Sequence, residues 1–289
     1  IISLLENPPE GLCFGDVWFN GWRHLPSEDP EEPEVLSVRQ AEVLTKLLIA
    51  RELPWNRAFG GKAVRVEDEG PLPRWTLPGG MRLTLLSPTV QRLRRLRRRW
   101  EKEIQAEKVR DQPGHPDERT DRLEVLGPLP DLERLARSPF KPDDSVPNGS
   151  SIAFAAEFRG KRCLFAGDAF APDIQAAVER LAAEEGETQL ELDALKLAHH
   201  GGQKNTSAEL VSALACARYL FSSDGSVYDH PHHESVARVV VHGRRRGPPR
   251  LFFNYRSDQN QVWGNQGLFR GRYEPLLPDE DQAGMVVDL

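Results

Sequence analysis

The sequence predicts a layered α/β fold, and three observations carry that prediction. After residue 148, short apolar runs alternate with segments whose apolar residues recur every three or four positions, the pattern of strands feeding helices. Apolar residues make up 39% of the 289 and charged residues 28%, enough for a sizeable core and too balanced for wholesale disorder. Several of the strand-like runs end in Gly-Asp, His-His-Gly or Ser-Ser-Asp-Gly, the positions at which open α/β sheets build their sites. The length allows one large domain or two ordinary ones, and the chain is read as a single domain over 1–289.

Taken in order, residues 1–6 read as the end of a helix broken by Asn7-Pro8-Pro9, and Asp16 to Asn20 as a short strand. Leu25 to Glu34 packs five acids and three prolines into ten residues and reads as a solvated loop. Ser37 is an N-cap candidate for a helix to about Arg51, carried by Val38, Ala41, Leu44, Leu47 and Leu48. Met81 to Leu86 is the next strand. Ser87-Pro88-Thr89 opens a helix with Leu93, Leu96, Trp100 and Ile104 on one apolar stripe. Residues 111–147 show little periodicity and read as a loop insertion.

Ser151 to Phe158 and Lys161 to Ala166 form two strands with Arg159-Gly160 as a tight turn. Helical spacing follows through Ile174, Val178 and Leu181, then a strand over Leu192 to Ala198 and a helix near Ser207 to Ala215. The series ends with a strand Arg218 to Ser222, a helix Ser235 to Arg244, and strands Leu251 to Tyr255 and Gln261 to Gly264.

Composition excludes several classes. Thirty-eight Lys and Arg against 44 Asp and Glu give a net charge of −6, which argues against a protein that coats nucleic acid or anionic membrane with its whole surface. No bilayer-length apolar stretch and no signal pattern is present, so the expected compartment is the cytoplasm and no membrane partner is expected. The three cysteines are far apart and read as buried small hydrophobes, with neither a disulfide framework nor a thiolate zinc site. No phosphate-cradling loop or dinucleotide fingerprint occurs. Between Arg92 and Arg110, nine basic residues face three acids, a local net of +6 that suits either a solvated helix face or a grip on phosphates. Arg244-Arg245-Arg246 has the same two readings, and Trp18 to His24 is either a buried aromatic cluster or a substrate wall.

The histidines are concentrated. His199, His200, His230, His232, His233 and His242 fall within 44 residues. Imidazole and carboxylate are the donors that suit zinc or another divalent transition metal, and the adjacent glycines let backbone approach closely. His232 and His233 also suit a helix start, and His242 its surface.

The succession Asn148-Gly-Ser-Ser-Ile-Ala-Phe, Cys163-Leu-Phe-Ala-Gly-Asp168, Leu195-Lys-Leu-Ala-His199-His200-Gly, Ser222-Ser-Asp-Gly and His230-Pro231 resembles the C-terminal half of a metallo-beta-lactamase-fold hydrolase, nearest to the ComEC-like branch. The likeness is good over about 148–264 and loose before it. It implies an αββα sandwich lacking its first strands. It also implies a metal set drawn from Asp168, His199, His200 and His230, with one of His199 or His200 as the late histidine ligand and His230 lining the same site, and Asp168, His199 and His200 as the catalytic candidates. Asn148 falls where many relatives carry a metal-binding histidine, and Asn148, Ser223, Arg95 and Arg98 are the expected substrate-binding positions. The family's His-x-[His/Asp]-x-Asp-His motif is absent from these residues, and Ile1-Ile2-Ser3-Leu4-Leu5 resembles the helix that follows it. Two readings stay open: an N-terminally truncated piece of a longer frame, or a chain that has lost half its site.

The expected function is hydrolysis of a phosphodiester in nucleic acid by metal-activated water, with two Zn2+ ions in an intact site and Mn2+ as the alternative. The alternatives are a non-catalytic scaffold or regulatory member that binds a partner protein, and an acyl or peptide hydrolase of the same fold.

Overall fold

The computed structural model describes every residue except 27–38, 108–130, 227, 244–246, 266–268, 281 and 283. In chain order the first elements are α1 (Ile2–Glu6), α2 (Arg39–Ala50), β1 (Arg74–Thr76), β2 (Arg82–Ser87) and α3 (Val90–Glu107). Short helices α4 (Leu132–Ala136) and α5 (Val146–Gly149) lead to the hairpin of β3 (Ala153–Phe158) and β4 (Lys161–Phe165). Next come α6 (Ala171–Glu185), β5 (Leu190–Leu192), β6 (Ala194–Lys196), α7 (Ala208–Ser212), β7 (Leu214–Cys216) and β8 (Arg218–Phe221). The last described elements are α8 (His233–His242), β9 (Arg250–Phe253), α9 (Asp258–Gly264) and β10 (Glu274–Leu276). Contacts divide the chain into two units, one of Ile1–Asp68 with Pro88–Asp117, the other of Glu69–Ser87 with Glu118–Leu289.

The first unit is helical and held by aromatic packing. Leu5, Leu44, Leu48 and Trp55 form its buried cluster, with Ile2, Phe14, Val17, Phe19, Leu47 and Leu53 packed around them. On α3 the expected stripe of Leu93, Leu96, Trp100 and Ile104 is buried, while Arg94, Arg95, Arg98 and Arg99 are exposed. Trp22 stacks on Trp100 with ring centroids 6.2 Å apart, and the guanidinium of Arg97 lies 4.5 Å over Trp22. The strand expected at 16–20 is reduced to one bridge between Val17 and Trp55. Side chains take the backbone partners there: Asn56 pairs with both backbone groups of Phe19, and Asn20 with both of Val64.

The second unit is built on a mixed eight-stranded sheet in the order β1-β2-β3-β4-β6-β8-β9-β10. The pairs from β1 to β4 are antiparallel, and β4, β6, β8, β9 and β10 run parallel to one another. Arg159 at φ 49 and Gly160 at φ 75 make the left-handed two-residue turn that the twist of the β3–β4 hairpin requires. Helix α6 packs on β2, β5 and α7, and α8 on α7 and α4, so these helices form a connected layer. Ile174, Val178 and Leu181 of α6 are wholly buried, as the helical spacing predicts.

Some expectations are corrected. Residues 192–198 are not one strand: Leu190–Leu192 pairs with β7 in a separate two-stranded sheet, and Ala194–Lys196 joins the large one. Asp193 makes the step by exchanging hydrogen bonds with the Arg162 backbone. Helix α7 ends at Ser212 and β7 takes the rest of the expected helix. Residues 261–264 are helical because Ser257 caps the turn by accepting from the Asn260 amide, and Asp258 suits the first turn. Within 111–147, helices α4 and α5 replace featureless loop, and 108–130 lies outside the described residues, as do Ser37, most of Leu25 to Glu34, and Arg244 to Arg246. Of the cysteines, Cys216 is buried, but Cys163 is half-buried and Cys13 exposed. Among the described residues no helix is long and apolar enough to cross a membrane.

Candidate functional site

Strands β4, β6 and β8 are parallel neighbours, so the segments after them emerge at the same carboxyl edge of the sheet. After β4 comes Gly167-Asp168, after β6 His199-His200, and after β8 Ser222-Ser223. The backbone N–H of His199 donates to Gly167 O at 2.9 Å, which ties the first two segments together. His199, His200 and Gly201 have consecutive positive φ of 45°, 56° and 90°, so the chain turns left-handed as it presents both imidazoles. Gly201 has no alternative: a Cβ there would lie 2.8 Å from both Phe221 and Pro231.

Around this turn the side chains interlock. His199 Nδ1 lies 3.3 Å from Asn205 Oδ1 and 3.9 Å from Asp143 Oδ2. The Asp143 carboxylate accepts from Asn148 Nδ2 at 2.8 Å, Asn205 Nδ2 at 3.0 Å and the Ser145 amide at 2.9 Å. His200 Nδ1 lies 3.0 Å from Ser222 O and 2.9 Å from Ser222 Oγ; the carbonyl can only accept, which favours the proton on Nδ1 and leaves Nε2 as the lone pair. The ring of His230 packs edge-on against His199 at 4.8 Å and His232 at 4.7 Å, with Tyr228 at 5.9 Å from it. His232 Nδ1 instead accepts from the Gln203 amide, and His233 Nδ1 from Trp263 Nε1, so these two nitrogens are committed to the framework.

Burial governs the electrostatics. It drives His230 down to about 3, with the neighbouring imidazoles and Lys196 adding repulsion, so this ring is neutral at physiological pH. Burial and then Lys196 lower His200, against the pull of Asp168 and the Ser222 carbonyl. Lys196, half-buried at the end of β6 with Nζ donating to Leu197 O, is brought to about 8 by burial while Asp168 opposes the shift. For Asp143 burial favours the neutral form, but the hydrogen bonds from Asn148, Ser145 and Asn205 outweigh it and hold the carboxyl below the usual range.

The donors fit a transition-metal ion in type and, at His200, in tautomer, because ligating histidines commonly spend the second nitrogen on a carbonyl or carboxylate. In number they do not: among the described residues no three His, Cys, Asp or Glu side chains are grouped to hold an ion.

Asp168, His199, His200 and His230 are thus gathered at one edge of the second unit, and Asn148 is connected to His199 through Asp143. Asn148 points its amide at a carboxylate, a positioning contact. Ser223 is turned into its own loop, accepting from Gly225 N on Oγ and from Asn260 on its carbonyl, and Ser222 is the residue that touches His200. Arg95 and Arg98 are exposed on α3, in the first unit. The Trp18 to His24 segment is mainly structural: Trp22 and His24 are buried, and His24 packs on Trp55 with centroids 4.6 Å apart. Sequence reasoning missed Asp143, Lys196, Asn205, Ser222 and Tyr228. Asp143 lies in a segment without periodicity and Asn205 outside every motif, whereas Lys196 and Ser222 are members of the Leu195 and Ser222 motifs and Tyr228 stands just before His230, none of them singled out as a site residue. Comparison with protein-family models, with curated proteins and with solved structures finds no match to this chain.

Proposed function

We propose that the second unit carries part of a metal-dependent hydrolase centre of metallo-beta-lactamase type, on an αββα sandwich, with a phosphodiester in nucleic acid as the favoured substrate. The observation that carries this reading is the delivery of Asp168, His199 and His200 to one edge by adjacent parallel strands, with the neutral His230 packed against His199. Asp168, His199 and His200 are the residues that would hold a zinc or manganese ion, which would supply Lewis-acid polarisation of a phosphoryl or acyl oxygen. The chain's own residues orient and neutralise: Asn205 and Ser222 fix the two imidazoles, and Lys196 places a cation beside Asp168 and His200. The exposed Arg94, Arg95 and Arg98 of α3 supply phosphate-attracting charge on the first unit.

The test is incubation with labelled single- and double-stranded DNA and RNA plus zinc or manganese, beside an Asp168→Ala variant. Metal-dependent cleavage lost in the variant is expected; equal activity in both proteins, or none with any metal, sinks the reading. Cleavage of esters or peptides instead would mark the acyl or peptide hydrolase. A second reading, a non-catalytic scaffold that binds a partner protein, is favoured by the lack of a three-donor group among the described residues. Metal analysis separates the two.

A further inference from the structure

Asn205 is 1% exposed, and the surroundings of its amide define which end is oxygen. Nδ2 faces three acceptors: Asp143 Oδ2 at 3.0 Å, Asp168 O at 3.3 Å and Ala169 O at 3.5 Å. None of these donates: the Asp168 and Ala169 carbonyls only accept, and the Asp143 carboxyl already accepts from the Ser145 amide on Oδ1 and from Asn148 Nδ2 on Oδ2. The amide therefore cannot flip without setting its oxygen against three other oxygens. Its own Oδ1 is left facing His199 Nδ1 at 3.3 Å, and an oxygen acceptor demands a proton on that nitrogen.

We infer that Asp143 is a positioning residue: acting through Asn205, it locks His199 in the Nδ1–H tautomer and so directs the Nε2 lone pair away from the network. The arrangement is a carboxylate–amide–imidazole relay of orientation. It serves the purpose of the carboxylate partners that orient metal-bound or catalytic histidines, with one amide inserted. The relay is built in: Asp143 is 8% exposed, its backbone N–H donates to Lys204 O, and Asn205 N donates to Gly202 O. Asn148 adds a second amide on Asp143 Oδ2, which leaves that oxygen with two donors and keeps it acceptor-only.

The tautomer assignment stands on this geometry alone, and its catalytic consequence rests on the hydrolase reading. The experiment is long-range proton–nitrogen correlation NMR on the 15N-labelled full chain, above the imidazole titration range, with His200 as internal reference. In the wild type His199 is expected to show Nδ1 protonated and Nε2 bare. In Asp143→Ala, Asn205 loses its nearest acceptor and keeps only Asp168 O at 3.3 Å and Ala169 O at 3.5 Å, so His199 is expected to shift towards a mixture with Nε2 protonated, and Asp143→Asn to shift it less. His200, held by the Ser222 carbonyl, keeps its pattern in both. A wild-type His199 already protonated on Nε2, or an unchanged Nδ1–H pattern in a folded Asp143 variant, overturns the inference. The wild-type spectrum decides even if the alanine variant fails to fold. Where hydrolysis is found, the Asp143 variants should lose about 10- to 100-fold in kcat with KM little changed. Failure of the hydrolase reading would leave the NMR result standing.

Discussion

Gly201→Ala is the substitution whose cost follows most directly from the structure. Gly201 sits at φ +90°, where an L residue is strained, and its added Cβ would meet Phe221 and Pro231 at 2.8 Å. Phe221 is 1% exposed and part of the packed sheet, so it has little room to give. The backbone term is roughly 1–2 kcal/mol and the overpacking term roughly 1–3 kcal/mol, so the unit should lose about 2–5 kcal/mol. Gly160→Ala is the control in the same unit: its φ is +75° but nothing lies within 4 Å of its Cβ, so only the backbone term applies. Urea unfolding monitored by circular dichroism should place the Gly201→Ala midpoint about 1 M below that of Gly160→Ala, at the usual slope of 1–3 kcal/mol per molar. Equal midpoints would refute the claim that the histidine turn is packed tightly enough to exclude a methyl group.

Arg238 is 1% exposed and donates to the carbonyls of Gln203, Thr206 and Ser138, so Arg238→Met should cost roughly 3 kcal/mol or more in unfolding free energy by orphaning them. Arg238→Lys should restore only part, because one ammonium lacks the planar fork. His24 is brought from 6.5 to about 4, first by burial and then by Arg23. The unfolded chain therefore binds the proton more readily, and the contribution is full above pH 6.5 and lost as pH falls towards 4. The gap is worth about 3 kcal/mol. The unfolding midpoint of the wild type should fall over that window more steeply than that of His24→Gln, and parallel curves would count against it.

The parts of the fold legible in the sequence are those where one local pattern acts alone. The Arg159-Gly160 turn and the α3 stripe each follow from steric preference or period, and the structure keeps both. The errors occur where a side chain replaces a backbone partner or a cap outweighs a short apolar run. Asn20 and Asn56 dissolve the expected strand at 16–20, and Ser257 turns 261–264 into helix. The placement of Asp168, His199 and His200 at one sheet edge was legible because each follows an apolar strand. Asp143 and Asn205 were not, because their roles come from a hydrogen-bond network that spans 62 residues of sequence and follows no period. Ser223 was expected and Ser222 makes the contact, a one-residue difference set by which side of β8's end faces the His200 ring.

The central claim is that Asp168 and the histidines around it belong to a metal centre. The most direct measurement is the zinc and manganese bound per chain after dialysis, in the wild type and in Asp168→Ala and His199→Ala. The account predicts bound metal in the wild type and a clear loss in both variants. A wild type that retains no metal, or variants that retain as much, would contradict it.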